Sequence, residues 1–174
     1  MENSIKIFVT DITSLFCDCI VNAANSQLQM GGGVCGAIFR AAGIVPLQQA
    51  CSRIGYCKTG NAVITPGFAL PAKYVVHTVG PIWQGGSHEE QALLRSCYLS
   101  SLKAAREVGC QSIAFPLISS GIYGYPKEEA WETALQAVLD YQTKDPDLQV
   151  TFSVLDPAAR DLGTRILHSL MKGI

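Results

Sequence analysis

The chain has 174 residues, 48% of them hydrophobic and 16% charged, with 13 Lys+Arg against 14 Asp+Glu and a net charge of −1. This fits a single domain over residues 1–174 with a substantial core, and it excludes a disordered or highly charged tail protein. The near-neutral charge disfavours nucleic acid as a partner, and no apolar run reaches the roughly 20 residues of a membrane span.

Ile5-Lys6-Ile7-Phe8-Val9 alternates and is rich in β-branched residues, which predicts a first strand ended by Asp11-Ile12-Thr13. Cys19-Ile20-Val21 reads as a short buried strand that runs into Asn22-Ala23-Ala24-Asn25. Gly31, Gly32 and Gly33 follow, and Val34 to Ala42 predicts a helix closed by Gly43. Strands are expected at Ala62 to Thr65 and Tyr74 to His77. Ser87-His88-Glu89-Glu90 has the spacing of a capping box, opening a helix with Leu94, Tyr98, Leu102 and Ala105 on one face and Gly109 as its stop. Ser112 to Phe115 reads as a strand. Pro126 at a first helical position, with Glu128 and Glu129 behind it, starts the next helix. Val150 to Leu155 is a last strand, and Asp156-Pro157 caps a last helix bearing Ile166, Leu167 and Leu170. Alternating strands and helices predict an α/β sandwich with helices on both faces of a largely parallel sheet.

The start Met1-Glu2-Asn3-Ser4 lacks the basic and apolar regions of an export signal, so a cytoplasmic location is expected. The seven cysteines include no C-x-x-C pair and no zinc-ligand spacing. They read as reduced, mostly buried thiols, and neither a metal nor a cofactor is expected. His77, in an apolar strand, reads as a structural histidine bonded to a carbonyl. Trp83 and Trp131 read as partly buried anchors.

Ligands of open α/β sheets bind beyond the carboxyl ends of the strands. Three segments fit that position: Asp11 at the end of the first strand, and two glycine-bearing loops, Asn22 to Gly36 and Ile118-Ser119-Ser120-Gly121-Ile122-Tyr123-Gly124-Tyr125. Both loops precede a helix, and glycine lets successive N–H groups converge on an anion. Neither matches the dinucleotide fingerprint or the phosphate loop. A phosphate-bearing ligand is one reading, and tight strand-to-helix turns are the other.

Val21-Asn22-Ala23-Ala24-Asn25-Ser26, Gly31-Gly32-Gly33-Val34 and Arg40-Ala41-Ala42-Gly43 resemble the signature of the macrodomain family. Ala72 to Pro81 and Ala114 to Pro126 are similar to its MacroD-type branch, and Thr10-Asp11-Ile12-Thr13 to the motif after its first strand. The resemblance implies a three-layer α/β/α sandwich around a mixed, mainly parallel sheet, with a cleft for ADP-ribose. Asp11 would accept from the adenine amino group, and the Ile12 N–H would meet a ring nitrogen. Gly31, Gly32, Gly33 and Val34 would hold one phosphate, and Ser119, Ser120, Gly121, Ile122 and Tyr123 the other. Asn25 would touch the distal ribose and Asn22 would brace the loop from inside, while Tyr123 would cover the ribose or pack on the rim. Leu155 stands where the family often has an aromatic against adenine.

By the same resemblance, the activity is removal of ADP-ribose from acidic side chains or deacetylation of O-acetyl-ADP-ribose, with ADP-ribosylated proteins as partners. A non-catalytic ADP-ribose reader is the alternative. The branch pattern has an acid after Gly-Gly-Gly-Val and a His four residues on, and here those places hold Cys35 and Phe39. Slow turnover is therefore expected. Asn25 and Cys35 are the candidate catalytic positions, Cys35 being a nucleophile, a water contact or a buried filler.

Overall fold

The computed structural model describes residues 4–173. Its elements are β1 (Ile5–Val9), β2 (Cys19–Ala23), α1 (Gly33–Ala42), α2 (Ile44–Ile54), β3 (Ala62–Pro66) and β4 (Tyr74–Thr78). There follow α3 (Glu90–Glu107), β5 (Ser112–Phe115), α4 (Lys127–Gln142), β6 (Gln149–Val154) and α5 (Pro157–Lys172). The strands form one mixed sheet in the order β1-β6-β5-β2-β4-β3. Every neighbour is parallel except β3, which runs antiparallel to β4.

The central strands are apolar at successive positions because both of their faces are covered. Cys19 and Val21 of β2, with Ile113 and Phe115 of β5, turn toward α3, α4 and α5. Ile20, Ala114 and Val75 turn the other way, onto Ile38 and Phe39 of α1 and Leu47 and Cys51 of α2. The two-residue period of a strand thus yields two cores and the expected three layers.

On the first face an aromatic cluster sets the spacing. Tyr98 lies 4.9 Å from Phe115, and Trp131 lies 5.2 Å from Phe152, measured between ring centroids. The Tyr98 hydroxyl accepts from the Ile118 N–H at 3.0 Å, which ties α3 to the end of β5. Trp131 is wholly buried, not partly so as expected, whereas Trp83 is half-buried. All seven cysteines are free, six of them buried and Cys17 half-buried. Burial pushes the thiols of Cys17, Cys51 and Cys97 up to about 11, and raises those of Cys19, Cys57 and Cys110 as well.

Several helix ends follow their sequence signals. Gly43 closes α1 at φ 105°, and Asp156 caps α5 through the Ala158 N–H at 2.9 Å with Pro157 as first residue. Pro126 stands one position before α4 rather than inside it. The capping box at Ser87 does not form. Gly85 and Gly86, at φ 89° and 92°, curl the chain around the Glu90 carboxylate, which accepts from the N–H groups of Gln84, Gly86 and His88. Burial pushes this carboxyl up, but the N–H groups outweigh it and hold it at about 2. Glu90 therefore fastens a loop instead of capping a helix.

Helix α2 has no counterpart in the sequence reading. Pro46 falls in its first turn, where a missing N–H costs nothing, and Leu47 and Cys51, four residues apart, carry its buried side. It leaves α1 at 112°. No single helix among the described residues is long and apolar enough to cross a membrane.

Gly163 lets α5 approach α4: a β-carbon there would stand 2.7 Å from the Trp131 ring. Gly163→Ala gains about 1 kcal/mol of helix propensity, but overpacking against a fixed indole costs about 1–3 kcal/mol. Urea denaturation should show net destabilisation, where propensity alone would give a gain.

Candidate functional site

The five parallel strands present their carboxyl ends along one sheet edge, and the unusual loops leave from it. At the β1 end, the Thr10 N–H donates to Val154 O at 2.9 Å and Ser153 Oγ donates to Thr10 O at 2.7 Å. These bonds keep the segment carrying Asp11 beside the one carrying Leu155. Asp11 is exposed and caps the short 3-10 turn Ile12–Ser14, its Oδ1 accepting from Thr13 N at 2.9 Å and Thr13 Oγ1 at 2.8 Å. Oδ2 of Asp11 and the N–H of Ile12 have no partner among the described residues. The Ile12 side chain is buried in the same core as Cys35, which seats the turn against α1.

Beyond β2 the chain folds back on itself. Asn25 Oδ1 accepts from Gln29 N at 3.0 Å, and Asn25 Nδ2 donates to Gln29 O at 2.8 Å. Gln48 of α2 holds the loop from behind, accepting from Met30 N at 3.0 Å and donating to Leu28 O at 3.1 Å. The loop then lies on the first turn of α1, where a β-carbon at Gly36 would be 2.6 Å from the Gly31 carbonyl oxygen. One at Gly31 would be 3.8 Å from Asn25 Nδ2 and 3.9 Å from Cys35 Sγ, so these three residues meet. Gly32 and Gly33 face open space, and Gly33 has φ 58°. No side chain caps α1, which leaves the N–H groups of Gly33, Val34 and Cys35 without acceptors among the described residues.

The second loop is equally determined. Ser119 is buried with φ 67°, and a β-carbon at Gly80 would collide with Ser119 Oγ at 2.2 Å and Ile118 Cγ2 at 2.7 Å. Ser120 Oγ donates to Leu117 O at 2.7 Å, Gly124 N to Gly121 O at 3.0 Å, and Tyr125 N to Ser119 O at 2.9 Å. The N–H groups of Gly121, Ile122 and Tyr123 have no acceptor among the described residues. Ile122 is 91% exposed and Leu155 83% exposed. Neither loop contains Lys or Arg, so the arrangement can hold an anion through neutral main-chain dipoles.

Asn22 and His77 lie under the first loop, each 1% exposed. His77 bonds to side chains, not to the carbonyl expected: Nδ1 meets Asn22 Nδ2 at 3.1 Å and Nε2 meets Thr65 Oγ1 at 2.9 Å. A polar partner on each neighbouring strand takes the place of the main chain. Cys35 is buried, its sulfur 3.6 Å from Asn22 Nδ2 and 3.9 Å from Gln29 O. That position favours a buried thiol over an accessible nucleophile. Gln48, Gly36, Gly80 and Thr65 carry parts of the site that sequence reasoning missed. For Gly36 and Gly80, their places inside and opposite the two loops were the available signal.

A cavity of about 650 Å³ lies elsewhere, between α3, α4 and α5, with Arg95, Glu132, Leu162 and Arg165 among its walls. It touches neither loop. Among the described residues, no group of three or more His, Cys, Asp or Glu side chains is placed to hold a metal.

An α/β sandwich with two glycine-bearing loops of unpartnered N–H groups at the carboxyl edge of its sheet is an architecture suited to a phosphate-bearing ligand. The pattern of the Macro domain family matches residues 21–134, and the chain belongs to that family. It is 48% identical over 173 residues to an O-acetyl-ADP-ribose deacetylase of Escherichia fergusonii, covering 96% of this chain and 97% of that one. The Oceanobacillus iheyensis macrodomain with ADP superposes with a TM-score of 0.91 at 38% identity, over 97% of this chain and 92% of that one. The Trypanosoma brucei macrodomain in complex with ADP-ribose gives 0.84 at 34%, over 97% and 69%.

Burial lowers His77 to about 4, against about 6.5 when unfolded. Between these values the unfolded chain binds the extra proton, so the stability contribution is full above pH 6.5 and is lost as pH falls toward 4. Urea denaturation should find the protein about 2–3 kcal/mol less stable at pH 4.5 than at pH 7 from this group. The comparison is with His77→Asn, which lacks that component of the pH dependence.

Proposed function

We propose that the cleft binds ADP-ribose, with adenine at Asp11, Ile12 and Leu155 and the two phosphates on the two glycine loops. The distal ribose lies between Asn25 and Tyr123. The observation that carries this reading is the pair of neutral N–H cradles flanking Asn25 on one sheet edge. The cradles suit a diphosphate, Oδ2 of Asp11 suits an amino-bearing ring, and the names of the relatives point to the same ligand.

The reaction we infer is hydrolysis of an ester on the distal ribose, in O-acetyl-ADP-ribose or in ADP-ribose joined to a protein carboxylate. Water adds to the ester carbon or to C1″, the C–O bond breaks, and the carboxylic acid leaves as its anion. The surplus proton passes to solvent or to a phosphate oxygen. ADP-ribosylated proteins are then the partners. Turnover is slow, because a thiol at position 35 is a weak hydrogen-bond acceptor for the attacking water and Phe39 supplies none. The direct test is incubation with a protein carrying Glu-linked mono-ADP-ribose, scoring released ADP-ribose. Binding without release would leave the reader as the function.

Asp11→Ala should weaken ADP-ribose binding by about ten- to a hundredfold, the cost of a lost charged hydrogen bond. Unchanged calorimetric affinity would place adenine elsewhere.

Cys35→Asp puts a carboxylate on the first turn of α1, where it can accept from Asn22 and polarise water. Turnover should rise at least about tenfold with ADP-ribose affinity kept within about threefold, because the added group acts in the transition state. Steady-state kinetics beside calorimetry would check it.

A further inference from the structure

Asn22, His77 and Thr65 occupy three adjacent strands on the face covered by α1 and α2, and all three are buried. Their neighbours on that face, Ile20, Val75 and Val63, are apolar. An apolar residue at 77 would pack there without the cost of desolvating an imidazole.

The hydrogen bonds have a direction. Asn22 Nδ2 can only donate, so His77 Nδ1 is the bare, accepting nitrogen and the ring proton sits on Nε2. Nε2–H donates to Thr65 Oγ1, which passes its own hydrogen to Pro66 O at 3.2 Å. Cys51 Sγ, 3.8 Å from Nε2, completes the surroundings. The imidazole is neutral, in keeping with its lowered pKa. In the other direction, Asn22 Nδ2 also reaches Cys35 Sγ, and the thiol leans on the Gln29 carbonyl. The Gln29 main chain is in turn clamped on both sides by the Asn25 amide. A chain of side chains thus runs from β3 to the open cleft.

We propose that His77 is a positioning residue for the distal-ribose end of the cleft. Its unprotonated Nδ1 fixes the amide plane of Asn22, and Asn22 steadies, through the Cys35 sulfur, the Gln29 segment that orients Asn25. This rests on the reading of Asn25 as the distal-ribose contact. It predicts that His77 acts on the ribose and not on the nucleotide, although it touches neither.

The test is calorimetric affinity for ADP and for ADP-ribose in the wild type, His77→Asn and His77→Gln. Asparagine returns an acceptor near the place of Nδ1 and gives up Thr65. Glutamine reaches toward Thr65 and leaves that place to a methylene. His77→Asn should keep the ratio of the two affinities within about twofold of wild type. His77→Gln should lower the preference for ADP-ribose about fivefold, the scale of one mis-set hydrogen bond, and leave ADP affinity within about twofold. If His77→Gln does not fold, the isosteric Thr65→Val, which removes the Nε2 acceptor, should shift the ratio the same way by a smaller factor. An unchanged ratio in folded His77→Gln, or in Thr65→Val where that variant stands in for it, overturns the proposal, as does an equal loss for both ligands, which would make His77 a structural residue only. A wild type that binds ADP but gains nothing from the distal ribose, or that binds neither ligand, instead removes the placement of Asn25 on which the proposal depends.

Discussion

Main-chain N–H groups left without acceptors among the described residues are the constraint on which the rest of this site depends. A helix normally covers such groups with a capping side chain, and the N-cap of α1, Gly32, has none to offer. Exposed donors are useful to an anion only if they stay convergent, so their backbone has to be fixed by contacts made behind it. The Gly31 carbonyl against Gly36, Gln48 reaching from α2, and Gly80 closed on Ser119 all serve that purpose. So does the Tyr98 hydroxyl on the Ile118 N–H, which carries the rigidity of the aromatic core into the second loop. The two cores on either face of the sheet therefore each support one cradle.

Charge follows the same economy. With no Lys or Arg in either loop, a bound dianion would be held by dipoles, which are stronger in a partly dry cleft than in water. On the proposed placement of the phosphates, a carboxylate at position 35 would assist hydrolysis and repel the ligand, whereas a thiol there would remove the repulsion and give up the stronger acceptor. The thiol is nevertheless built into the site, since its sulfur sits between Asn22 and Gln29. Its buried position makes it a spacer of defined volume, which separates it from a nucleophile needing access to substrate.

The sequence made local features legible and long-range ones obscure. β1 and β5 fall where alternation and apolar content put them, and Asp156-Pro157 caps α5 as its composition implies. The two glycine-bearing loops stood out by their composition, each lying between a strand end and a helix. The residues that hold them could not be read in the same way. Gly80 and Ser119 are 39 positions apart, and Gln48 belongs to a helix whose signal was hidden by an early proline. Glu90 misled for a related reason: the spacing of a capping box is local, but the positive φ of Gly85 and Gly86 turned the carboxylate toward a different set of donors. The polar partners of His77 lie on two other strands, which periodicity does not pair.

The seven thiols have a consequence for how the molecule can be observed. Six have pKa values raised by burial, so at neutral pH they stay protonated in the folded state, and all of them but the half-buried Cys17 are also shielded from alkylating reagents. Unfolding returns each to ordinary thiol reactivity. They are spread over both cores, with Cys51 and Cys57 on one side of the sheet and Cys19, Cys97 and Cys110 on the other. The protein thus carries its own set of opening reporters. The order in which a thiol reagent consumes them distinguishes the layer that loosens first from the one that yields only on global unfolding.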